Sequence, residues 1–231
     1  MRISLAAAFA TLLIATGAPA LADRLVVVEL FTSQGCSSCP PADQLLGELS
    51  RQEGVLPLAL HVDYWDYIGW KDEFAKPEHT ARQKAYAAVA QSRTIYTPQM
   101  VVDGQDHVVG FKPGRLMKLL MQHSSSVPKA TATVQREGAD VVVSVTATGA
   151  PGEAEIVLVR YLSERMVDIR RGENAGHTYA YHNIVADMRQ IGTWDGQGTH
   201  SLRTNAEGEG EFAVLVQSPG AGPILAAARV P

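Results

Sequence analysis

Leu25-Val26-Val27-Val28-Glu29-Leu30-Phe31-Thr32-Ser33-Gln34-Gly35-Cys36-Ser37-Ser38-Cys39-Pro40-Pro41 decides how this chain is read. Leu25 to Phe31 is a β-branched, apolar run, the pattern of a buried strand. Pro40-Pro41 and the following Leu45, Leu46 and Leu49 give the start and spacing of a helix. The cysteines, the only two in 231 residues, fall between these elements. Two intervening residues let one turn bring the sulfurs together. A helix N-terminus carries partial positive charge and favours a thiolate, the attacking species in disulfide exchange. A C-x-x-C at a strand-to-helix junction therefore reads as a redox pair, with Cys36 the nucleophile and Cys39 the resolving thiol. Ser37 and Ser38 are small and polar and keep such a site open.

The same residues admit other readings. A structural disulfide is the plain one, but a four-residue ring removes little unfolded-state entropy. Two thiolates also suit Cu(I), with His61 as third ligand and His107 a weaker choice, which would make an extracytoplasmic copper carrier. A third is a non-catalytic interaction protein with an inert disulfide. Glu29 is either a buried carboxylate that relays a proton to Cys39 or a residue that faces solvent or pairs with a basic side chain.

Outward from this stretch, Val55–Val62 reads as a strand and Pro77–Ser92 as a helix. Gln99–Val102 and His107–Val109 flank the hairpin signal Asp103-Gly104, and Pro113–His123 is another helix. The order βαβαββα implies a central sheet with packed helices. Ser124-Ser125-Ser126-Val127-Pro128 reads as a linker. Beyond it the strands are Ala130–Gln135, Val141–Thr148, Glu155–Leu162, His177–Asp187, Gln190–Trp194, Gly198–Leu202, Phe212–Gln217 and Ile224–Val230, a sandwich-like pattern. The domains expected are thus 23–125 and 128–231. Met117 and Met121 read as core. His79, His123 and His200 read as surface.

Tyr64-Trp65-Asp66-Tyr67-Ile68-Gly69-Trp70 follows the second strand and should emerge beside Cys36. Tyr64, Trp65 and Trp70 are candidate substrate-binding rings, the alternative being plain packing. Arg170 to His177 either binds an anion, reaches back to the cysteines, or is a solvated hairpin connection. Thr97-Pro98, just before a strand, is an ordinary turn or a cis bond.

Arg2, the apolar stretch Leu5 to Ile14 and Ala20-Leu21-Ala22 form the pattern of a secretory leader, residues 1–22, cut before Asp23. It places the mature protein in the periplasm or outside the cell, where disulfides persist, with no stable membrane insertion. A net charge of −4 gives no field for nucleic acid.

The cysteine pair, its junction, Thr97-Pro98 and the βαβαββα order together resemble thioredoxin-like proteins. That resemblance implies an α/β thioredoxin-like N-terminal domain, followed here by an all-β sandwich-like domain. It further implies that Pro98 is cis opposite Cys36–Cys39 and that the Thr97 backbone helps dock a substrate strand. Val28 to Asp43, His61 to Asp72, Tyr96 to Gly104, Arg171 to Gly176 and Gly192 to Gly196 are similar to the signature of a secreted bacterial family known as domain of unknown function 1223. The function expected is thiol–disulfide exchange on protein or small-molecule thiols, with a redox-active disulfide and no cofactor.

Overall fold

Val26–Thr32, seven consecutive buried residues, form β1. The structure is a computed structural model and describes residues 24–231; the leader reading of Met1–Ala22 lies outside them. Strand β1 pairs in parallel with β2 (Val55–His61) and antiparallel with β3 (Gln99–Val102). Helix α1 (Pro40–Leu49) joins β1 to β2, and α2 (Pro77–Val89) joins β2 to β3. Strand β4 (Asp106–Val109) closes a hairpin with β3 through Asp103-Gly104, both at positive φ, as that dipeptide favours. Helix α3 is Pro113–Ser124.

The two faces of β1 bury against different partners, because side chains alternate along a strand. Val26, Val28 and Leu30 pack with Leu45, Leu46 and Leu49 of α1 and with Leu116 and Leu120 of α3. Val27 and Phe31 pack with Leu56, Leu58, Leu60 and Tyr86 of α2.

The second half corrects the fold expected from the sequence. A thioredoxin-like α/β domain followed by a β-sandwich is not what forms. Strands β7 (Ala154–Ile169), β8 (His177–Trp194), β10 (Glu211–Gln217) and β11 (Ile224–Arg229) extend the first sheet instead. The result is a mixed eight-stranded sheet in the order β11-β10-β7-β8-β2-β1-β3-β4. The junction is a parallel β2–β8 bridge at Ala59 and Ile184. The reason is the open side of β2: all seven of its residues are buried, so its free edge needs a partner. Only β5 (Ala130–Glu137), β6 (Asp140–Ala147) and β9 (Thr199–Asn205) form a separate three-stranded sheet. Its Val141, Val143 and Val145 pack on Ile156, Leu158, Val214 and Val216 of the large sheet.

Beyond Leu162, β7 and β8 continue as a two-stranded arm that leaves the main sheet. Its inner side chains Val167, Ile169, Tyr181 and Ile184 pack with Trp70 and Phe74. Two smaller readings also change. Met117 and Met121 are exposed, whereas His79 and His123 are buried. His123 joins Asp103 and Asp106 at 3.0 and 2.9 Å. Among the described residues no helix is long and apolar enough to cross a membrane.

Candidate functional site: a covered disulfide

Cys36 and Cys39 form a disulfide, with an S–S distance of 2.11 Å and Cα atoms 5.4 Å apart. Cys39 is the N-cap of α1 and Pro40 its first residue; Cys36 lies in the preceding turn. Pro40 and Pro41 contribute no N–H, and the next two amides, of Ala42 and Asp43, both donate to the Cys39 carbonyl. The helix terminus therefore offers Cys36 no free amide. The nearest polar partner of its sulfur is the Ser38 hydroxyl at 3.4 Å.

The pair is not open to solvent, which corrects the expectation of an accessible edge. Cys36 is 1% exposed and Cys39 0%. Two segments supply the cover. The first is Tyr64–Trp70. A methyl placed on Gly35 would meet Ile68 Cδ1 at 3.1 Å and Trp65 Cβ at 3.3 Å, so this segment lies directly on the cysteine loop. Trp65 donates from Nε1 to Thr97 Oγ1 at 2.7 Å and stacks on the exposed ring of Tyr67. Trp70 donates from Nε1 to Gln34 Oε1 at 2.7 Å. Tyr64 donates to Gln83 Oε1 at 3.1 Å. The second segment is the β7–β8 loop, whose Asn174 donates to the Gln34 and Cys36 carbonyls at 2.9 and 3.0 Å.

The Thr97-Pro98 bond is cis, and the Pro98 carbonyl accepts from Gly110 N at 2.9 Å. Trp65 thus bridges the cysteine loop and the Thr97-Pro98 turn. Glu29 falls elsewhere. It lies on the β1 face away from α1, in a two-point pair with Arg82 at 2.6 and 3.0 Å. Of its two sequence readings, this is the pairing with a basic side chain.

A different carboxylate stands behind the cysteines. Asp43, one helical turn from Cys39, is 4% exposed, and neither of its oxygens has a hydrogen-bond partner among the described residues. Burial pushes its pKa up to about 7, against the pull of His61. His61 Nδ1 meets Asp72 Oδ2 at 2.7 Å in full burial. Burial disfavours the His61 imidazolium, but the Asp72 carboxylate overrides it and raises the pKa. Burial likewise works against Asp72, yet His61 and the amides of Gln34 and Phe74 hold its pKa below the usual value. Thr32 Oγ1, Asp43 and His61 Nε2 are all buried without hydrogen-bond partners among the described residues.

For the copper reading, His61 spends Nδ1 on Asp72, and no cluster of three metal-ligating side chains occurs among the described residues. Asp72 and Asn174 carried no sequence signal for these contacts beyond position in a motif or loop. Asp43 had one: it is an acid inside the apolar stripe of α1.

Fold and site together define a β-rich mixed-sheet protein with a disulfide of closely spaced cysteines closed beneath two loops. The chain belongs to the family described as protein of unknown function (DUF1223), whose match runs over residues 27–217. The crystal structure of a protein from Agrobacterium tumefaciens is similar to it, with 32% identity over 88% of this chain and 92% of that one, and a TM-score of 0.77. HBP35 of Porphyromonas gingivalis shares the fold, at 16% identity over 90% of this chain and 74% of that one, and a TM-score of 0.64. No curated protein matches the chain.

Proposed function

We propose that this protein performs thiol–disulfide exchange outside the cytoplasm, through Cys36 and Cys39. The observation that carries the reading is the closed four-residue ring itself, set at the start of α1. So short a loop adds little to stability, so its chemistry is the better reason for it. The leader-like residues 1–22 and the disulfide favour an oxidising compartment. Buried groups that hold protons, with Asp43 nearest the ring in sequence, provide for the charge that exchange creates.

In the oxidised form a substrate thiolate attacks Cys36 Sγ. A substrate–Cys36 disulfide forms, the Cys36–Cys39 bond breaks, and Cys39 leaves as a thiolate that takes up a proton. A second substrate thiolate then attacks the substrate sulfur, and Cys36 leaves. The product is an oxidised substrate and a Cys36/Cys39 dithiol, with two electrons transferred. The reverse sequence reduces a substrate disulfide. Trp65, which lies on the cysteine loop, and the Thr97-Pro98 turn it is bonded to form the docking face for a protein or small-molecule thiol. The reaction needs no cofactor.

Cys39→Ala is expected to accumulate a mixed disulfide on Cys36 when expressed with its leader. Mass spectrometry under non-reducing conditions should show an adduct that dithiothreitol releases. Cys36→Ala should show none. A Cys39→Ala protein free of any adduct, with a wild type inert towards thiols, would remove this reading.

A further inference from the structure

Asn174 is the one buried residue of an otherwise solvent-facing loop. Arg170, Arg171, Glu173, Ala175, Gly176 and His177 around it are exposed, while Asn174 is 5% exposed. Its amide nitrogen is spent on the Gln34 and Cys36 carbonyls, at 2.9 and 3.0 Å. It thus grips the chain on both sides of Gly35. The same loop packs against the aromatic cover: a methyl placed on Gly172, at φ +79°, would meet Trp70 Cβ at 3.2 Å, so the loop lies close against the Ile68–Trp70 backbone. Trp70 in turn donates to the Gln34 side chain at 2.7 Å. The Asn174 contacts reach Gln34 and Cys36 from about 140 residues away, and the Trp70 contact from 36.

The arm that carries this loop lies beyond the β2–β8 bridge of the large sheet. Past Leu162, β7 and β8 pair only with each other. A two-stranded ribbon depends on what it packs against. Here that is α1, whose Gly47 lies directly against His182, together with Trp70 and Phe74, and Tyr181 stands edge-on to His61 at 5.0 Å between centroids. Sulfur exchange requires a nearly collinear approach of an attacking thiolate, and neither sulfur has that space in the closed form. Access must come from movement of one of the two covers.

We infer that Asn174 is a positioning residue for the exchange: it fastens the β7–β8 arm over the cysteine loop and sets the rate at which a thiol reaches Cys36. The inference rests on the exchange reading for its purpose, but not for its test. Two buried hydrogen bonds of ordinary strength correspond to roughly a tenfold to hundredfold shift in the balance of closed and open forms. Loss of both should raise access to the sulfur by about that factor.

The test is the rate of reduction of the Cys36–Cys39 disulfide by dithiothreitol in the full-length protein. Asn174→Ala is expected to react at least about tenfold faster than wild type, whereas Glu173→Ala in the same loop should stay within about twofold. The wild-type rate should level off at high reductant, where opening limits it, and the Asn174→Ala rate should stay linear to higher concentration. General loosening does not produce that pair of results. Should Asn174→Ala not fold, Trp70→Phe removes the contact to Gln34 Oε1 alone and should speed reduction several-fold. Equal rates in wild type and Asn174→Ala, or the same acceleration in Glu173→Ala, would overturn the inference. Dithiothreitol reports access and nothing of the natural substrate. A cysteine variant that traps no partner sinks the exchange reading while leaving this one standing, and unchanged dithiothreitol rates do the reverse.

Discussion

Arg82→Ala is expected to cost about 3–5 kcal/mol of folding stability, the range for removing one partner of a buried ion pair. For a protein of this length that corresponds to a fall of roughly 6–20 °C in the unfolding midpoint. The reason is the environment of Glu29, which is wholly buried and held at both carboxylate oxygens by Arg82. Arg82 also donates to Tyr86 and Gln217, each at 2.9 Å, and the Tyr86 hydroxyl donates to Glu29 in turn. The network ties α2 to both β1 and β10, so its loss loosens the two halves of the large sheet at once. Truncation leaves the fully buried Glu29 carboxylate without its counter-charge. Arg82→Lys should recover only part of the loss, since an ammonium cannot make the two-point contact. The network lies across the sheet from α1, so the redox behaviour of Cys36–Cys39 should not change. Thermal unfolding at neutral pH measures the first effect. A loss below about 1 kcal/mol would mean the pair is not the anchor described here.

Asp43→Asn is expected to change how stability depends on pH. Asp43 titrates near 7 when folded, because burial raises it, and near 3.9 when unfolded. Below about pH 4 the carboxyl is neutral in both states and imposes no penalty. Between about 4 and 7 the unfolded chain has lost the proton and the folded one keeps it, so stability falls as pH rises. Above about 7 the full penalty is present, at most about 4 kcal/mol for a shift of this size. The amide of the Asp43→Asn variant does not titrate, so this slope is missing from it. The difference between variant and wild type should therefore favour the variant more at pH 8 than at pH 4. Denaturant unfolding at the two pH values measures it. A difference independent of pH would show that Asp43 is ionised throughout, and would remove it as a proton-holding group behind the ring.

What the sequence revealed was local. The strand read at Leu25 to Phe31, the helix start at Pro40-Pro41, the hairpin at Asp103-Gly104 and the helix starts at Pro77 and Pro113 follow from propensity and turn chemistry within a few residues. That Trp65 emerges beside Cys36 follows from element order, whereas a place for Thr97-Pro98 near them came only from the resemblance. The sheet as a whole was not legible. Nothing near Ala59 says that its partner is Ile184, and that one pairing joins the strands of the two halves into one sheet. The polar run Ser163-Glu164-Arg165 ended a strand on paper, yet β7 continues to Ile169 because only Val167 and Ile169 need to face inward. His177–Asp187 and Gln190–Trp194 read as two strands and form one. The same long-range pairing delivers Asn174 to Cys36 and Tyr181 to His61; the sequence offered Arg170 to His177 as a loop that reaches back to the cysteines, as one of three readings, but not the residue that makes the contact. The buried Asp43–His61–Asp72 group drew together residues from α1, β2 and the loop after it. Of the three, only His61 had been singled out, as a candidate metal ligand.

The central claim is that Cys36–Cys39 is a working redox couple within an intact fold and not a passive clasp. Equilibration of the full-length protein in glutathione buffers of graded potential, with thiol content and near-ultraviolet circular dichroism followed together, tests it directly. One reversible two-electron transition between disulfide and dithiol is expected while the folded signal persists. Reduction that occurs only as the folded signal is lost would contradict it.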